Sequence, residues 1–218
     1  MQGFATAAPN GVLLEYARAE LARCPGLRVL DLGCGAARNA GPLAAAGARV
    51  VGLDLARPML EAARRRIVGE DLDARVALLV ASMGPLPLRD ASVDLVVAHG
   101  IWNLARSGAE FRQALGEGAR VARPGAGLFV FTFSRATLPD DAQPVPGETF
   151  VFTQFSGEPQ CFLTEGELLR ELSVAGFERD PPGPLTEYNR PAPGRRLSGG
   201  PVIYEGTFRR RSSRTGAR

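Results

Sequence analysis

The chain has 218 residues, of which 45% are hydrophobic and 22% are charged, and its mean hydropathy is close to zero. This composition predicts one globular domain, over residues 1–208, and excludes wholesale disorder. Every basic residue is an arginine, and five of the 26 fall in residues 209–218, where no acid stands beside them. The net charge of +3 is therefore concentrated in this segment. We expect it to be a disordered basic tail, which gives little support for nucleic-acid binding.

Cysteine and histidine content limits the kinds of site that the chain can form. There are three cysteines and one histidine, His99, and they are scattered along the sequence. Their spacing fits neither a zinc motif nor a disulfide framework, so we expect no metal site. The first residues do not resemble a secretion signal, and no uncharged stretch is long enough to cross a bilayer. The sequence predicts a cytoplasmic protein without membrane contact, either a monomer or a homodimer.

Apolar strands alternate with amphipathic helices through the first 133 residues. Such an alternation produces crossover connections and a parallel sheet that is covered on both faces. The predicted helices are 15–24, 39–46, 59–66 and 111–122, and the predicted strands are 28–32, 49–53, 75–80, 93–98 and 128–133.

The pattern changes after residue 134. We expect irregular substrate-side insertions at about 135–163 and 181–201, with residues 149–155 forming an edge strand because aromatic and polar residues alternate there. A helix is predicted at 164–175, with Thr164 as its N-cap and Glu167 at the capping-box position. The last strand, 202–208, should pair antiparallel because no crossover precedes it. The expected fold is an open α/β sheet.

The turn after the first strand is the most informative segment for function. Gly33 and Gly35 permit a sharp turn and a close approach of the backbone to a ligand, since they carry no Cβ atom. Asp54 ends the second strand, 19 residues beyond Gly35, which is the separation suited to a carboxylate that binds a ribose diol. Asp31 lies just before the turn.

Two ligands compete for this turn. A dinucleotide site needs a third glycine at position 38, which is Arg38, and the Asp31 carboxylate would repel a pyrophosphate. A ligand with an ammonium group at one end and a ribose at the other fits both acids, and S-adenosylmethionine is such a ligand. A nicotinamide-dependent oxidoreductase is the alternative.

Three motifs in order, over residues 12–134, resemble the class I S-adenosylmethionine-dependent methyltransferases: Asp31-Leu-Gly-Cys-Gly35 with Asp54, the stretch 86–97, and the stretch 119–130. The resemblance implies a Rossmann-like fold and the product S-adenosylhomocysteine. The chain departs from the family at two positions. Ala37 stands at the third family glycine, which we interpret as tolerable because alanine adds only a methyl group. Ser82 stands where the family often has an acid near the end of the third strand. Residues 35–39 and 162–168 are similar to the tellurite-resistance branch.

The resemblance also implies a set of cofactor-binding residues. Arg38 would pair with the methionine carboxylate, and Leu55 and Met83 would contact the adenine ring, although core packing explains those two equally well. The full implied set is Asp31, Gly33, Cys34, Gly35, Arg38, Asp54, Leu55, Ser82, Met83 and His99.

The acceptor should lie beyond the ends of the fourth and fifth strands. His99 ends the fourth strand, where it would contact the cofactor, orient the acceptor or act as the catalytic general base. Trp102 offers a flat wall, and Tyr188, Asn189 and Arg190 lie in a Pro/Gly-rich connection of the kind that carries specificity. Packing or a solvated loop is the competing interpretation for each.

The expected function is methyl transfer to a small-molecule acceptor. A protein that binds S-adenosylmethionine without transferring its methyl group is an alternative. A nucleic-acid methyltransferase is disfavoured, because no Asn-Pro-Pro-Tyr-like motif follows the fourth strand.

Overall fold

The computed structural model describes residues 8–180, 185–190 and 200–212. Over the first 133 residues, strands and helices alternate as predicted, with boundaries that differ by a few residues. The described helices are α1 (Gly11–Arg23), α2 (Ala40–Ala45), α3 (Arg57–Gly69), α4 (Gly108–Val121) and α5 (Glu165–Val174). The described strands are β1 (Arg28–Leu32), β2 (Arg49–Asp54), β3 (Val76–Val80), β4 (Val93–His99), β5 (Ala122–Phe133), β6 (Val151–Phe152), β7 (Gln160–Cys161), β8 (Phe177–Arg179), β9 (Thr186–Tyr188) and β10 (Ile203–Arg210).

The main sheet has the order β3-β2-β1-β4-β5-β10-β8, with β9 also paired to β10. Strands β1 to β5 are parallel to their neighbours, whereas β10 runs antiparallel to β5, which confirms the prediction for the last strand. The strand order reverses between β1 and β4. In open α/β sheets a ligand binds at the carboxyl ends of the strands beside such a reversal.

Helices cover both faces of the sheet, as predicted. One core cluster contains the buried faces of α1, α2 and α3, and the other contains those of α4 and α5. Each helix is held by its apolar side, because burying that side removes apolar surface from water.

The predicted edge strand at 149–155 is wrong. Only Val151–Phe152 is a strand, and it pairs with Gln160–Cys161 in a separate two-stranded ribbon. Phe150 and Phe152 are fully buried, while the ring of Phe155 is 45% exposed. The aromatic residues of this segment therefore serve mainly to cover the core. Burial of these rings determines the structure here, and the alternation of aromatic and polar residues does not produce an edge strand.

The capping box at the start of α5 is confirmed. The backbone N–H of Glu167 donates to Thr164 Oγ1 at 3.3 Å, and the Glu167 carboxylate accepts from the Thr164 backbone N–H at 2.8 Å. Residues 162–168, one of the two stretches similar to the tellurite-resistance branch, thus have a local structural role in starting a helix.

The prediction that a disordered tail begins at residue 209 is wrong. Strand β10 continues to Arg210, and the Arg209 guanidinium forms ion pairs with Glu20 of α1 and with Asp180. It also donates to the carbonyl oxygen of Gly125 at 2.9 Å. Two carboxylates therefore neutralise an arginine that we expected to lie in a disordered tail. Residues 213–218, the rest of the predicted tail, lie outside the described residues.

Replacing Arg209 with alanine is expected to lower the free energy of unfolding by about 3 kcal/mol, because Asp180 loses its cation and keeps only the neutral Tyr16 hydroxyl, while Glu20 keeps only the exposed Arg23. Urea denaturation followed by circular dichroism measures this change. Arg211→Ala is the control, since that side chain is half exposed and makes only surface contacts, with the carbonyl of Ser173 and, at 3.6 Å, with Glu178. We expect the control to change stability by less than about 0.5 kcal/mol. Equal effects of the two substitutions would contradict the assignment.

Candidate functional site

The turn after β1 has the backbone geometry that the two glycines predicted. Gly33 and Gly35 adopt positive φ angles of 65° and 54°. A Cβ atom on Gly33 would lie 2.7 Å from Cδ1 of Ile101, so close packing, in addition to conformation, excludes a side chain there. The turn brings bare backbone to the carboxyl end of β1.

Asp54 connects the ends of β1 and β2. Its Oδ2 atom accepts a hydrogen bond from the Gly35 backbone N–H at 2.9 Å, and its Oδ1 atom accepts one from Ala56 N–H at 2.8 Å. Each carboxylate oxygen retains a second lone pair, which can accept a bond from a hydroxyl group of a ligand. The adjacent Leu55 side chain is 67% exposed, leaving an apolar surface beside the carboxylate. A ribose and a flat base are the chemical groups that fit such a pair.

Asp31 is a buried carboxyl group with incomplete hydrogen bonding. The residue is 2% exposed, and its Oδ2 atom has no hydrogen-bond partner among the described residues. Burial raises the pKa of Asp31 to about 7, with a further increase from Asp54 and an opposing effect of Arg38. A carboxyl group in this environment gains most from a cationic ligand, because that ligand both neutralises the charge and donates hydrogen bonds.

Three further residues from the predicted cofactor set lie along the same edge. The Cys34 thiol packs against β2, where a Cβ atom on Gly52 would lie 2.8 Å from Sγ, and burial raises the pKa of this thiol. Its side chain thus belongs to the core, and only its backbone faces the turn. Ser82 and Met83 are half-buried after β3, with Met83 packed on the main core. Cofactor contacts by these three residues stay a prediction.

Ala37, which replaces the third family glycine, has a positive φ of 58°. From the sequence we considered only the added methyl group as the cost of alanine in place of glycine. The left-handed backbone is the larger cost, roughly 1 kcal/mol for a residue other than glycine. The surrounding turn holds Ala37 in this conformation.

His99 lies in a network with Arg38 and the start of α1. Its ring stacks on Phe131 with centroids 4.2 Å apart, Nδ1 lies 3.2 Å from the Arg38 guanidinium, and Nε2 lies 3.4 Å from the Asn10 amide nitrogen. Burial, and then Arg38, lower the pKa of His99 to about 4. The imidazole is therefore neutral at pH 7 and is a weak base in this state. The structure brings Arg38 to the predicted site, and the catalytic role of His99 stays a prediction.

Sequence reasoning missed Asn10 and Glu205. Asn10 Oδ1 accepts from the Leu13 backbone N–H at 2.8 Å, which orients Nδ2 so that it donates to Glu205 at 2.6 Å. The sequence could have indicated Glu205, because it is an acid within a largely apolar strand. For Asn10 the sequence indicates only a helix N-cap.

The prediction that Trp102 forms a wall for the acceptor is wrong. The residue is 1% exposed, and its ring packs edge to face on Phe111 of α4, with centroids 6.4 Å apart. A short 3-10 helix, Trp102–Leu104, follows β4 and turns the indole into the core. Packing beneath α4 therefore explains this residue.

The three other residues predicted to contact the acceptor have different surroundings in the structure. Tyr188 donates from its hydroxyl to Glu205 at 2.9 Å and so joins the His99 network through Asn10. Asn189 donates to the carbonyl of Pro201, and Arg190 forms an ion pair with Glu187 at 2.6 Å. Arg190 also lines a cavity of about 650 Å³ with Arg135 and Tyr204, on the opposite face of β10 from Glu205. The contacts of Asn189 and Arg190 do not include the His99 network.

Two negative findings concern the described residues alone. No group of three or more histidine, cysteine, aspartate or glutamate side chains there is arranged to hold a metal ion. Within those same residues, no helix combines the length and apolarity of a membrane span.

The fold and the turn together define a nucleoside-binding α/β protein. Acids at the carboxyl ends of β1 and β2 flank a glycine turn at the reversal of strand order, and an exposed leucine lies beside one of them. In keeping with this class, residues 30–131 match the family model described as a methyltransferase domain.

Relatives and a solved structure agree with that match. A demethylmenaquinone methyltransferase of Corynebacterium glutamicum is 37% identical over 169 residues, which cover 70% of this chain and 68% of the relative. A demethylmenaquinone methyltransferase of Clavibacter sepedonicus is 38% identical over 52% of this chain and 44% of its own length. A crystal structure of a S-adenosylmethionine-dependent methyltransferase from Methanosarcina mazei, 19% identical, superposes with a TM-score of 0.70 over 94% of this chain and 100% of that one. This last likeness shows the fold.

The chain belongs to the S-adenosylmethionine-dependent methyltransferases. The solved structures confirm the predicted Rossmann-like fold. Membership of this family confirms S-adenosylmethionine as the cofactor. The chain spans about half the length of several curated relatives that it matches, 44% and 53% in two of them. The narrower resemblance to the tellurite-resistance branch stays a prediction.

Proposed function

We propose that this chain transfers a methyl group from S-adenosylmethionine to a small-molecule acceptor. The observation that carries the proposal is the pair of acids at the turn: Asp31 with an oxygen that lacks a partner, and Asp54 bonded to the Gly35 backbone. An ammonium group and a ribose diol are the complementary groups, and S-adenosylmethionine contains both.

The residues present fit this cofactor. Gly33 and Gly35 present bare backbone at the turn, Asp31 would bind the ammonium group, and Asp54 would bind the ribose. Arg38 would pair with the carboxylate, and Leu55 would contact the base. When bound, S-adenosylmethionine supplies an electrophilic methyl group on a positively charged sulfur. The contribution of the chain is to hold cofactor and acceptor in one orientation, which accounts for much of the rate of such a reaction.

The small-molecule class of acceptor rests on the names of the relatives. The two demethylmenaquinone methyltransferases described above are named for a quinone. An enzyme of Halobacterium salinarum, 31% identical over 74% of this chain, is named an arsenite methyltransferase. These acceptors differ in the atom that is methylated, so the relatives support the class and leave the compound to experiment.

A nicotinamide-dependent oxidoreductase is less compatible with the site. Its pyrophosphate would lie beside the buried Asp31 carboxyl group, and Arg38 occupies the position where a third glycine would admit the phosphates.

The proposal is tested with the wild-type chain. Isothermal titration should show binding of S-adenosylhomocysteine and none of NADH. Incubation with S-adenosylmethionine and a set of acceptors (demethylmenaquinone, arsenite, 2-naphthol) should release S-adenosylhomocysteine, as measured by mass spectrometry. Absence of binding would remove the cofactor assignment. Binding without turnover on a broad acceptor panel would favour a protein that binds the cofactor without transferring its methyl group.

A further inference from the structure

Glu205 is a buried acid whose described hydrogen bonds come from neutral groups. The residue is 4% exposed and lies in the middle of β10. One carboxylate oxygen accepts from the Tyr188 hydroxyl at 2.9 Å and the other from the Asn10 amide at 2.6 Å. Burying a carboxylate is costly, and two neutral donors offset that cost less well than a cation or a strongly polarised O–H or N–H group does.

The sheet places Glu205 in line with the cofactor turn. Gly33 follows β1, and His99 ends the adjacent strand β4 at the same end of the sheet. On the next strand, β5, Phe131 is in register with His99. Phe131 is in turn in register with Glu205 of β10. Neighbouring strands are roughly 4.8 Å apart, so side chains at matched positions form one row on one face of the sheet. The Asn10 amide nitrogen contacts both His99 and Glu205, which shows that the two side chains converge.

We propose that Glu205 is a specificity-determining residue that binds the O–H or N–H group of the methyl acceptor. This inference rests on the proposed function. It assigns the acceptor a chemistry: a molecule with a polarised proton-donating group, carried on an apolar frame that can pack against Phe131 and the neutral ring of His99.

Tyr188 occupies the place of that donor in the present structure. Its hydroxyl is bonded to Glu205, and the residue is 39% exposed, so it lies between the carboxylate and solvent. The hydrogen bond to Glu205 raises the pKa of Tyr188, which keeps the hydroxyl protonated as a donor. An acceptor O–H reaching Glu205 takes over this bond. Removing the tyrosine hydroxyl should therefore strengthen acceptor binding, whereas removing the glutamate charge should weaken it.

The test compares two probes, 2-naphthol and its methyl ether 2-methoxynaphthalene, in which a methyl group replaces the donated proton. Fluorescence titrations use the full chain saturated with S-adenosylhomocysteine. The wild type should bind 2-naphthol about tenfold more tightly than the ether, since a site built for a hydroxyl rejects an analogue that lacks it. Glu205→Gln should lose about tenfold in affinity for 2-naphthol and leave that for the ether unchanged. Tyr188→Phe should bind 2-naphthol a few-fold more tightly.

Glu178→Gln is the matched control, since Glu178 is an exposed acid on β8, and it should behave as the wild type. Thermal melting checks that each variant folds; if Glu205→Gln does not, Glu205→Asp, which keeps the charge, should retain the preference for 2-naphthol. The inference is overturned if the wild type binds neither probe or shows no preference, or if folded Glu205→Gln binds as the wild type does. Binding of S-adenosylhomocysteine in the same samples reports separately on the proposed function.

Discussion

Replacing Asp54 with alanine is expected to weaken the binding of S-adenosylhomocysteine on the order of 100-fold, or about 3 kcal/mol. Two losses add to this effect. The variant removes the acceptor for the ribose hydroxyls, and it also releases the Gly35 and Ala56 N–H groups that the carboxylate fixes at the turn. Isothermal titration calorimetry measures the change directly.

The control for Asp54 is Asp73→Ala. Asp73 is an exposed acid before β3, at the opposite edge of the sheet from the glycine turn. Its removal changes the net charge by the same amount without touching the turn, so we expect unchanged affinity. A loss of less than about fivefold in Asp54→Ala, with the fold intact, would show that the ribose binds elsewhere.

Asp31 should make cofactor binding dependent on pH. Its pKa is about 7 in the free protein, so below pH 7 the carboxyl group is protonated and has no charge to offer an ammonium group. Affinity for S-adenosylhomocysteine should therefore fall as the pH decreases from 7 to 5, by at most about tenfold per unit, and level off above pH 8. Asp31→Asn should bind weakly at every pH and lose this slope. A wild-type affinity that is flat between pH 5 and 8 would contradict the assignment.

The same substitution should stabilise the unliganded protein at alkaline pH. The pKa of Asp31 in the folded protein, about 7, lies above the 3.8 of an exposed aspartate, so the folded state loses stability as the pH rises between these two values. Asparagine carries no charge, and after allowing for its buried amide we expect Asp31→Asn to be more stable by about 2 kcal/mol at pH 8. This advantage should shrink towards pH 5. Urea denaturation at the two pH values measures it, with Asp73→Asn as the control.

Much of the fold was predictable because its signals are local. Apolar strands of five to seven residues, Pro-Gly stops and the Thr164–Glu167 cap each depend on neighbouring residues. The error at 149–155 arose because alternation alone does not distinguish a sheet edge from a segment buried on the core. Arg209 was misjudged for a related reason: its partners Glu20 and Asp180 are distant in sequence.

The candidate site also has a part that could be predicted from local sequence and a part that could not. The proposed cofactor side is encoded in one turn and the following strand end, so Asp31, Gly33, Gly35 and Asp54 could be named together. The acceptor side that we propose combines residues of α1, β4, β9 and β10, and no spacing rule connects Asn10 to Glu205. The Trp102 prediction failed because a position after a strand end does not determine on which side of the chain an indole packs.

The placement of β10 affects how the protein is made. This strand is the last described element of the sheet, yet it lies between β5 and the pair β8 and β9. Until residues 203–210 emerge from the ribosome, the nascent polypeptide presents residues 127–133 of β5 as an unpaired edge, most of it apolar. Open edges of this kind invite aggregation. The half of the sheet that holds the cofactor turn can form early in synthesis, whereas Glu205 and Tyr188 reach their places only when translation of this region is complete.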